Sequence, residues 1–302
     1  MRNTKDFEVI IIGGSNAGLS SAMALGRSLR SVLIIDSGLP CNKPTPHAHN
    51  FLTQDGQKPA EILRIARQQV EKYETVKFHH GVASNGVKTA NGFEITTAAQ
   101  EKFTAKKLIF ATGIKDVMPE IKGFEACWGI SIVHCPYCHG FEFQNQNTGI
   151  FANGERAFHL ASLVNNLTKQ LSILTNGKAD FNEEQLEKLK KNNIEIIETG
   201  IAEIVHENGH LKHVVFEDGN QLNFNAVYAS IPFVQHSDIP LSLGCEIIEH
   251  GYIKVDNFQK TTVDDVYACG DNAGMMRSIA NAVHTGNLTG AMVNSLLTAE
   301  TF

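Results

Sequence analysis

The sequence predicts an α/β protein with two Rossmann-like, three-layer (ββα) nucleotide-binding units, and three observations carry that prediction. Apolar, β-branched runs hand over to alanine- and leucine-rich helical stretches twice, once from Phe7 and again from Gly149. The first handover is rich in glycine and is followed by an acid at the tip of the next strand, Asp36. Near the C-terminus a further apolar strand stops at Gly270-Asp271 and leads into a long helical tail.

Phe7 to Ile12 is the first strand, Gly13-Gly14-Ser15-Asn16-Ala17-Gly18 the turn, the stretch to Leu29 a helix and Val32 to Ile35 the second strand. Glycines at the first and last positions allow a tight turn and close helix packing, with the helix N-terminus facing a pyrophosphate. The middle position of the Gly-x-Gly-x-x-Gly pattern is Ser15, a small side chain that crowds the approach without closing it. Asp36 stands where a carboxylate accepts hydrogen bonds from a ribose.

A proline- and histidine-rich loop runs from Pro40 to Asn50, and a helix with proline in its first turn is expected from Pro59 to about Glu74. Val76 to Phe78, Ala83 to Lys88 and Phe93 to Thr97, punctuated by Asn85-Gly86 and Asn91-Gly92, read as an antiparallel meander. Leu108 to Ala111 is a buried strand ending in Thr112-Gly113.

The second unit starts with a strand at Gly149 to Ala152, a helix from Gly154 to Leu167 and a strand at Leu171 to Leu174. Its turn, Ala152-Asn153-Gly154-Glu155-Arg156-Ala157, keeps the middle glycine and a small last residue but lacks the first glycine. Only Arg156 and Lys178 offer positive charge there, so Gly154, Arg156, Ala157 and Lys178 are the positions available to an NAD(P)H, and its binding stays open. A helix from about Glu183 to Lys191 and strands near Ile194 to Ile197 and Leu211 to Phe216 come next, and the tail helix spans about Ser278 to Leu297.

Between the units lies His134-Cys135-Pro136-Tyr137-Cys138-His139. Two thiols at this spacing close a small, reducible disulfide, but the letters also fit c-type haem attachment, half a zinc site and a glutaredoxin active site. Haem attachment requires export, and no signal-peptide core is evident, because Met1 to Asp6 runs straight into a short strand. Zinc requires a second ligand pair, and Cys41, Cys127, Cys245 and Cys269 are far apart in sequence and read as packed thiols, so no metal is expected. The glutaredoxin fold places its dithiol after a first strand, whereas here the pair comes after a whole dinucleotide-type unit.

Composition is that of a globular protein, with 42% hydrophobic and 19% charged residues in 302. A net charge of -6 leaves no basic footprint for nucleic acid or for an anionic membrane surface, and a cytoplasmic location is expected.

The ordered set resembles the low-molecular-weight thioredoxin reductases over essentially the whole chain. It comprises the N-terminal fingerprint, Ala111-Thr112-Gly113, the Cys-x-x-Cys, and Thr261-Thr262 with Val266-Tyr267-Ala268-Cys269-Gly270-Asp271. The resemblance implies a discontinuous FAD-binding domain, 1–115 plus 245–302, with an NAD(P)H-binding-like domain, 116–244, inserted and carrying the cysteines. It implies FAD contacts from Gly13, Gly14, Ser15, Gly18, Asp36, Asn50, Ala111, Gly113, Gly270, Asp271, Arg277, Ser278 and Ile279. Cys138 would exchange electrons with the flavin, Cys135 would attack the external disulfide, and His139 would carry protons. A homodimer, and a thioredoxin-like protein or a small dithiol or disulfide as substrate, are implied too.

Thioredoxin reductases usually carry an acid immediately after the second cysteine, and this chain has His139. That makes the motif more similar to the gliotoxin and holomycin dithiol oxidase group, which passes electrons from small dithiols to FAD and on to oxygen. Two readings therefore stand beside a disulfide reductase fed by NADPH: a dithiol oxidase, and a reductase fed by another donor such as ferredoxin. His47, His49 and His284 either border the flavin or lie at the surface.

Overall fold

The computed structural model describes residues 5–302; the segment Met1 to Thr4 lies outside the described residues. Strand β1 (Asp6–Ile12), helix α1 (Asn16–Arg27) and strand β2 (Val32–Asp36) form the first βαβ unit, with β1 and β2 parallel. Helix α2 (Pro59–Val70) ends earlier than expected, because its chain turns at Glu71 to deliver strand β3 (Val76–His80). The expected meander is corrected here: β3 pairs in parallel with β2. The antiparallel meander is β4 (Ala83–Thr89), β5 (Gly92–Thr97) and β6 (Lys102–Phe110). A third Rossmann strand is placed by its α2 crossover and not by hairpin turns, so its position is a tertiary decision.

Strand β7 (Ile114–Asp116) leaves this sheet and leads to the single helical turn α3 (Phe124–Cys127), the short strand β8 (Ile132–Val133) and the turn α4 (Pro136–His139). The second unit is β9 (Thr148–Phe151), α5 (Gly154–Val164), β10 (Leu171–Leu174), α6 (Glu183–Lys191) and β11 (Glu195–Ile197). A three-stranded antiparallel sheet comes next, β12 (Ile201–Glu207), β13 (His210–Phe216) and β14 (Gln221–Asn223). Strand β15 (Ala226–Ala229) then closes the second parallel sheet, whose order is β11-β10-β9-β15-β8. The chain returns through β16 (Phe233–Gln235), antiparallel to β7, and the turn α7 (Ile239–Ser242). It finishes with β17 (Val266–Ala268), parallel to β6, and α8 (Ile279–Ala299).

Strands from both ends of the chain therefore share one seven-stranded sheet, β3-β2-β1-β6 with β17 and the meander attached to β6. One core face gathers Val9, Ile11, Leu19, Leu25, Ile34 and Val293, all fully or almost fully buried. The other gathers Ile10, Leu33, Phe93, Leu108 and Val266, together with Ile239 and Leu243. The core of this sheet thus reaches a few residues ahead of the expected boundary at 245. Burial of these aliphatic side chains, roughly 1.5–3 kcal/mol each relative to exposure, is the main force joining the distant segments.

Helix α8 packs on α1 at small residues: a Cβ on Gly286 would overlap the Ala17 carbonyl, and one on Gly290 would lie 2.6 Å from that of Ser21. Ser20 and Ser21 hydroxyls donate to the Val283 and Gly286 carbonyls at 2.7 and 2.8 Å. Lys107, 2% exposed, pairs with Asp265 at 2.6 Å and Glu300 at 2.5 Å and so stitches β6 to both C-terminal segments. Losing both acids would strand a buried cation.

Candidate active site

The first turn is shaped by glycine. Gly13 sits at φ +105, and a Cβ there would overlap the Ala111 carbonyl; one on Gly18 would overlap the Gly13 carbonyl. These contacts draw the end of β1, the start of α1 and the end of β6 into one narrow cradle. Ser15 is the N-cap of α1 but makes no side-chain capping bond, which leaves the first amides of the helix free for an anion. Asp36 accepts from the Gly14 amide at 2.9 Å through one oxygen, a contact that fixes the carboxylate at the mouth of the turn. Gly113 opens onto empty space.

On the C-terminal side, Gly270 lies at φ +83 against Ala17, and Asp271 and Asn272 come next at the floor of the cradle. Burial pushes the Asp271 carboxyl up to about 6, the Arg277 guanidinium opposing the rise and Asp116 adding to it. Arg277 forms a bidentate pair with Asp116 at 2.9 Å on both arms, while its Nε faces Asp271 at 3.9 Å. Ser278 caps α8 by accepting from the Asn281 amide at 3.1 Å, and Ile279 is its first residue. Asn272 Oδ1 and Arg277 Nε are buried without protein partners. Free helix amides, a glycine cradle and orphaned polar atoms are the features a dinucleotide needs, so these residues fit FAD.

Cys135 and Cys138 form a disulfide with Cα atoms 5.3 Å apart. Cys135 caps the α4 turn, its Sγ accepting from the Cys138 amide at 3.2 Å, so local structure holds the pair in register. Proline at the first position of that turn matches its fixed φ. His139 is half-buried; burial lowers its basicity, nearby Glu142 raises it and His49 lowers it. His134 has a different role: burial and the Arg277 charge push it down to about 3, and it packs on Trp128 with ring centroids 6.2 Å apart. It is a neutral packing residue at the active pH.

Beside the disulfide lies a cleft of about 300 Å³ lined by His49, Asn50, Asp55, Tyr137, Phe141 and Glu142. Asn50, at φ +58, donates its amide to Asp55 at 2.7 Å and so stands at this cleft mouth, exposed. Tyr137 and Phe141 are exposed aromatic walls. His47 bonds the Gly56 carbonyl at 3.0 Å and His284 lies on the exposed side of α8. Cys127, Cys245 and Cys269 are buried; Cys41 is exposed as a residue, but its thiol points inward toward Asp271, Arg277 and Asp116, and burial pushes it up to about 11.

The second turn differs from the first. Asn153 caps α5, accepting from the Gly154 amide at 2.8 Å and the Asp180 amide at 2.9 Å while donating to the Lys178 carbonyl at 2.8 Å. The turn's own side chain thus occupies the Gly154 amide, the first of helix α5. The Asp180 carboxylate flanks Gly154, and Glu155 is bonded by Gln185 at 2.6 Å. Arg156, Ala157 and Lys178 sit around this turn, but the charge nearest its glycine is negative. Asn153 escaped the sequence reading, although an asparagine directly before a helical run is a readable cap signal. Asp116, Glu142 and Asn272 escaped too, and no motif spacing marks them.

The chain matches the pyridine nucleotide-disulphide oxidoreductase family model over residues 7–286. It is 32% identical over 311 residues to thioredoxin reductase tcpT of Claviceps purpurea (strain 20.1), covering 99% of this chain and 97% of that protein. Among solved structures, the oxidoreductase from Agrobacterium tumefaciens aligns with a TM-score of 0.91 at 34% identity, covering 97% of this chain and 99% of that one. HlmI aligns with a TM-score of 0.92 at 25% identity, covering 99% and 95%. With a glycine cradle fitted to FAD and a disulfide in the inserted segment, the chain belongs to the pyridine nucleotide-disulphide oxidoreductase family and is a thioredoxin-reductase-like flavin thiol–disulfide oxidoreductase.

Proposed function

We propose that the chain oxidises small dithiols, or a dithiol protein of thioredoxin type, through the Cys135–Cys138 bridge, and that NADPH is not its electron source. The observation that carries this reading is Asn153, whose side chain takes the Gly154 amide of the second nucleotide turn and ties that turn to the Asp180 amide, with the Asp180 carboxylate beside the glycine. Oxygen is the acceptor proposed for the electron pair.

Neutral His139 takes the proton from an incoming thiol, and the thiolate attacks Cys135 Sγ, breaking the bridge and releasing Cys138 as thiolate. The second substrate thiolate then displaces Cys135, leaving the substrate as a disulfide and the enzyme as a dithiol with the two electrons. Burial favours the neutral base on His139, which is the form that accepts a proton. Bound FAD would supply the two-electron acceptor that allows the bridge to re-form.

For that group the residues proposed are Gly13, Gly14, Ser15 and Gly18 at the pyrophosphate and Asp36 at the ribose. Ala111, Gly113, Gly270 and Asp271 form the floor, Ser278 and Ile279 flank the flavin with Asn50, and Arg277 acts through its pairing with Asp116 and Asp271. We assign the FAD-binding unit to 1–115 with 245–302 and the inserted unit to 116–244, with the core contact of Ile239 and Leu243 at the seam. A cytoplasmic homodimer without nucleic-acid or membrane partners is consistent with the -6 charge and with the absence, among the described residues, of a helix long and apolar enough to cross a membrane.

Anaerobic titration of the yellow holoenzyme tests the reading directly. Dithiothreitol bleaches the flavin band and stoichiometric NADPH does not; bleaching by NADPH at one equivalent overturns it. Cys138→Ser keeps FAD bound and loses dithiol turnover by at least about a thousandfold, measured as oxygen uptake.

A further inference from the structure

Resting on the thiol–disulfide reading above, we infer that Glu142 is a positioning residue for proton transfer at the Cys135–Cys138 bridge, standing between His49 on the cleft wall and His139 on the α4 turn. Glu142 lies three residues beyond His139, just past the α4 turn, and its Oε1 is 3.5 Å from His49 Nδ1. The two partners come from different parts of the chain: His49 from the loop between β2 and α2, Glu142 from the inserted segment. Asp55 Oδ1 approaches the same His49 nitrogen at 3.7 Å but is already engaged by the Asn50 amide at 2.7 Å. The loop carboxylate is therefore committed to shaping its own turn, and Glu142 is the acid that carries charge across to the disulfide side.

A third element meets this cluster. Tyr228, on the inner strand β15, is 1% exposed and its hydroxyl is buried without a protein partner. Burial and the Glu142 charge both raise its pKa, so it stays a neutral phenol facing the carboxylate. The titratable groups around Glu142 are thus His49, Asp55, His139 and Tyr228. At His139, burial and His49 both weaken the base while Glu142 strengthens it. The thiol proton passes to His139 as sulfur attacks Cys135, and from His139 to the departing Cys138 thiolate. The part of Glu142 is to strengthen His139 as a base against the burial and the His49 influence that weaken it.

The test uses holoenzyme and dithiothreitol, reading reduction of the bridge by rapid alkylation and mass measurement between about pH 5 and about pH 8. This half-reaction is scored whichever electron acceptor serves turnover, so its result is separable from the NADPH titration. Glu142→Gln, with FAD content unchanged, moves the acid limb of the rate profile to lower pH and slows exchange roughly tenfold on the plateau. Glu142→Asp restores part of that loss, and His49→Gln moves the acid limb the opposite way, to higher pH. Wild-type limbs and plateaus in both Glu142→Gln and His49→Gln overturn the inference. Should Glu142→Gln fail to fold, the direction of the His49→Gln shift decides alone.

Discussion

The chain contains two strand-turn-helix units of the same architecture, and their turns have opposite polar economies. At Gly13 to Gly18 the N-cap Ser15 makes no side-chain bond, the helix amides face outward, and the nearest acid, Asp36, is tied back by the Gly14 amide. At Ala152 to Ala157 the N-cap Asn153 bonds two amides itself and an untied acid, Asp180, stands over the glycine. The first turn leaves its amides to a ligand; the second has already supplied a side chain. A shared fold does not carry a shared ligand, because the ligand is bound by the few groups the fold leaves unsatisfied.

The largest effect breaks the first turn. Gly18→Ala puts a Cβ into the Gly13 carbonyl, a backbone atom that cannot move aside, so the expected product is colourless, FAD-free protein with a melting temperature lower by several degrees. Asp271→Asn probes the floor opposite that turn. A carboxyl held near 6 when folded and near 3.8 when unfolded binds more protons in the native state, so stability falls as pH rises through that window. The asparagine variant of the FAD-free protein therefore melts higher than the parent at pH 7.5, by about 3 kcal/mol in equivalent stability, and equally below about pH 4. Calorimetry at the two pH values checks this.

Smaller effects compare the two acids. Asp36→Ala weakens FAD roughly tenfold, measured by flavin fluorescence on dilution, whereas Asp180→Ala leaves FAD affinity as it was. The smallest change opens the second turn. Asn153→Gly costs only about 0.3 kcal/mol, since glycine is itself a tolerated cap, and frees the amides of Gly154 and Asp180. Paired with Ala152→Gly, it gives measurable NADPH binding by calorimetric titration; none at millimolar nucleotide places the block in the missing cationic cluster instead.

Much of this site is legible in the chain. The spacing of Gly13, Gly14, Gly18 and Asp36 reflects how a βαβ turn must meet a pyrophosphate, and Cys135 and Cys138 are close enough in sequence for a single helical turn to bring them together. His139 is legible for the same local reason. His134 looks equivalent by sequence, yet burial beside Trp128 and Arg277 makes it inert. Arg277 reads as a flavin neighbour, but its bidentate bond to Asp116, remote in the chain, is invisible there. Strand β3 is misplaced by sequence because Asn85-Gly86, which reads as a turn, lies inside β4 at a register shift, and the β4–β5 turn is the one before Gly92.

The sequence by itself determined the α/β class, the two nucleotide-type turns, the redox pair and the long C-terminal helix, all of which rest on contacts within a few residues or on hydrophobic period. Only the tertiary structure decided which groups remain unsatisfied: the first amides of α1 left without a side-chain cap, Asn153 held between the Gly154 and Asp180 amides, Asp116 given to Arg277, and Glu142 brought to His49 across the cleft. Those outcomes depend on burial and on partners from distant segments, and burial is set by the whole packed chain.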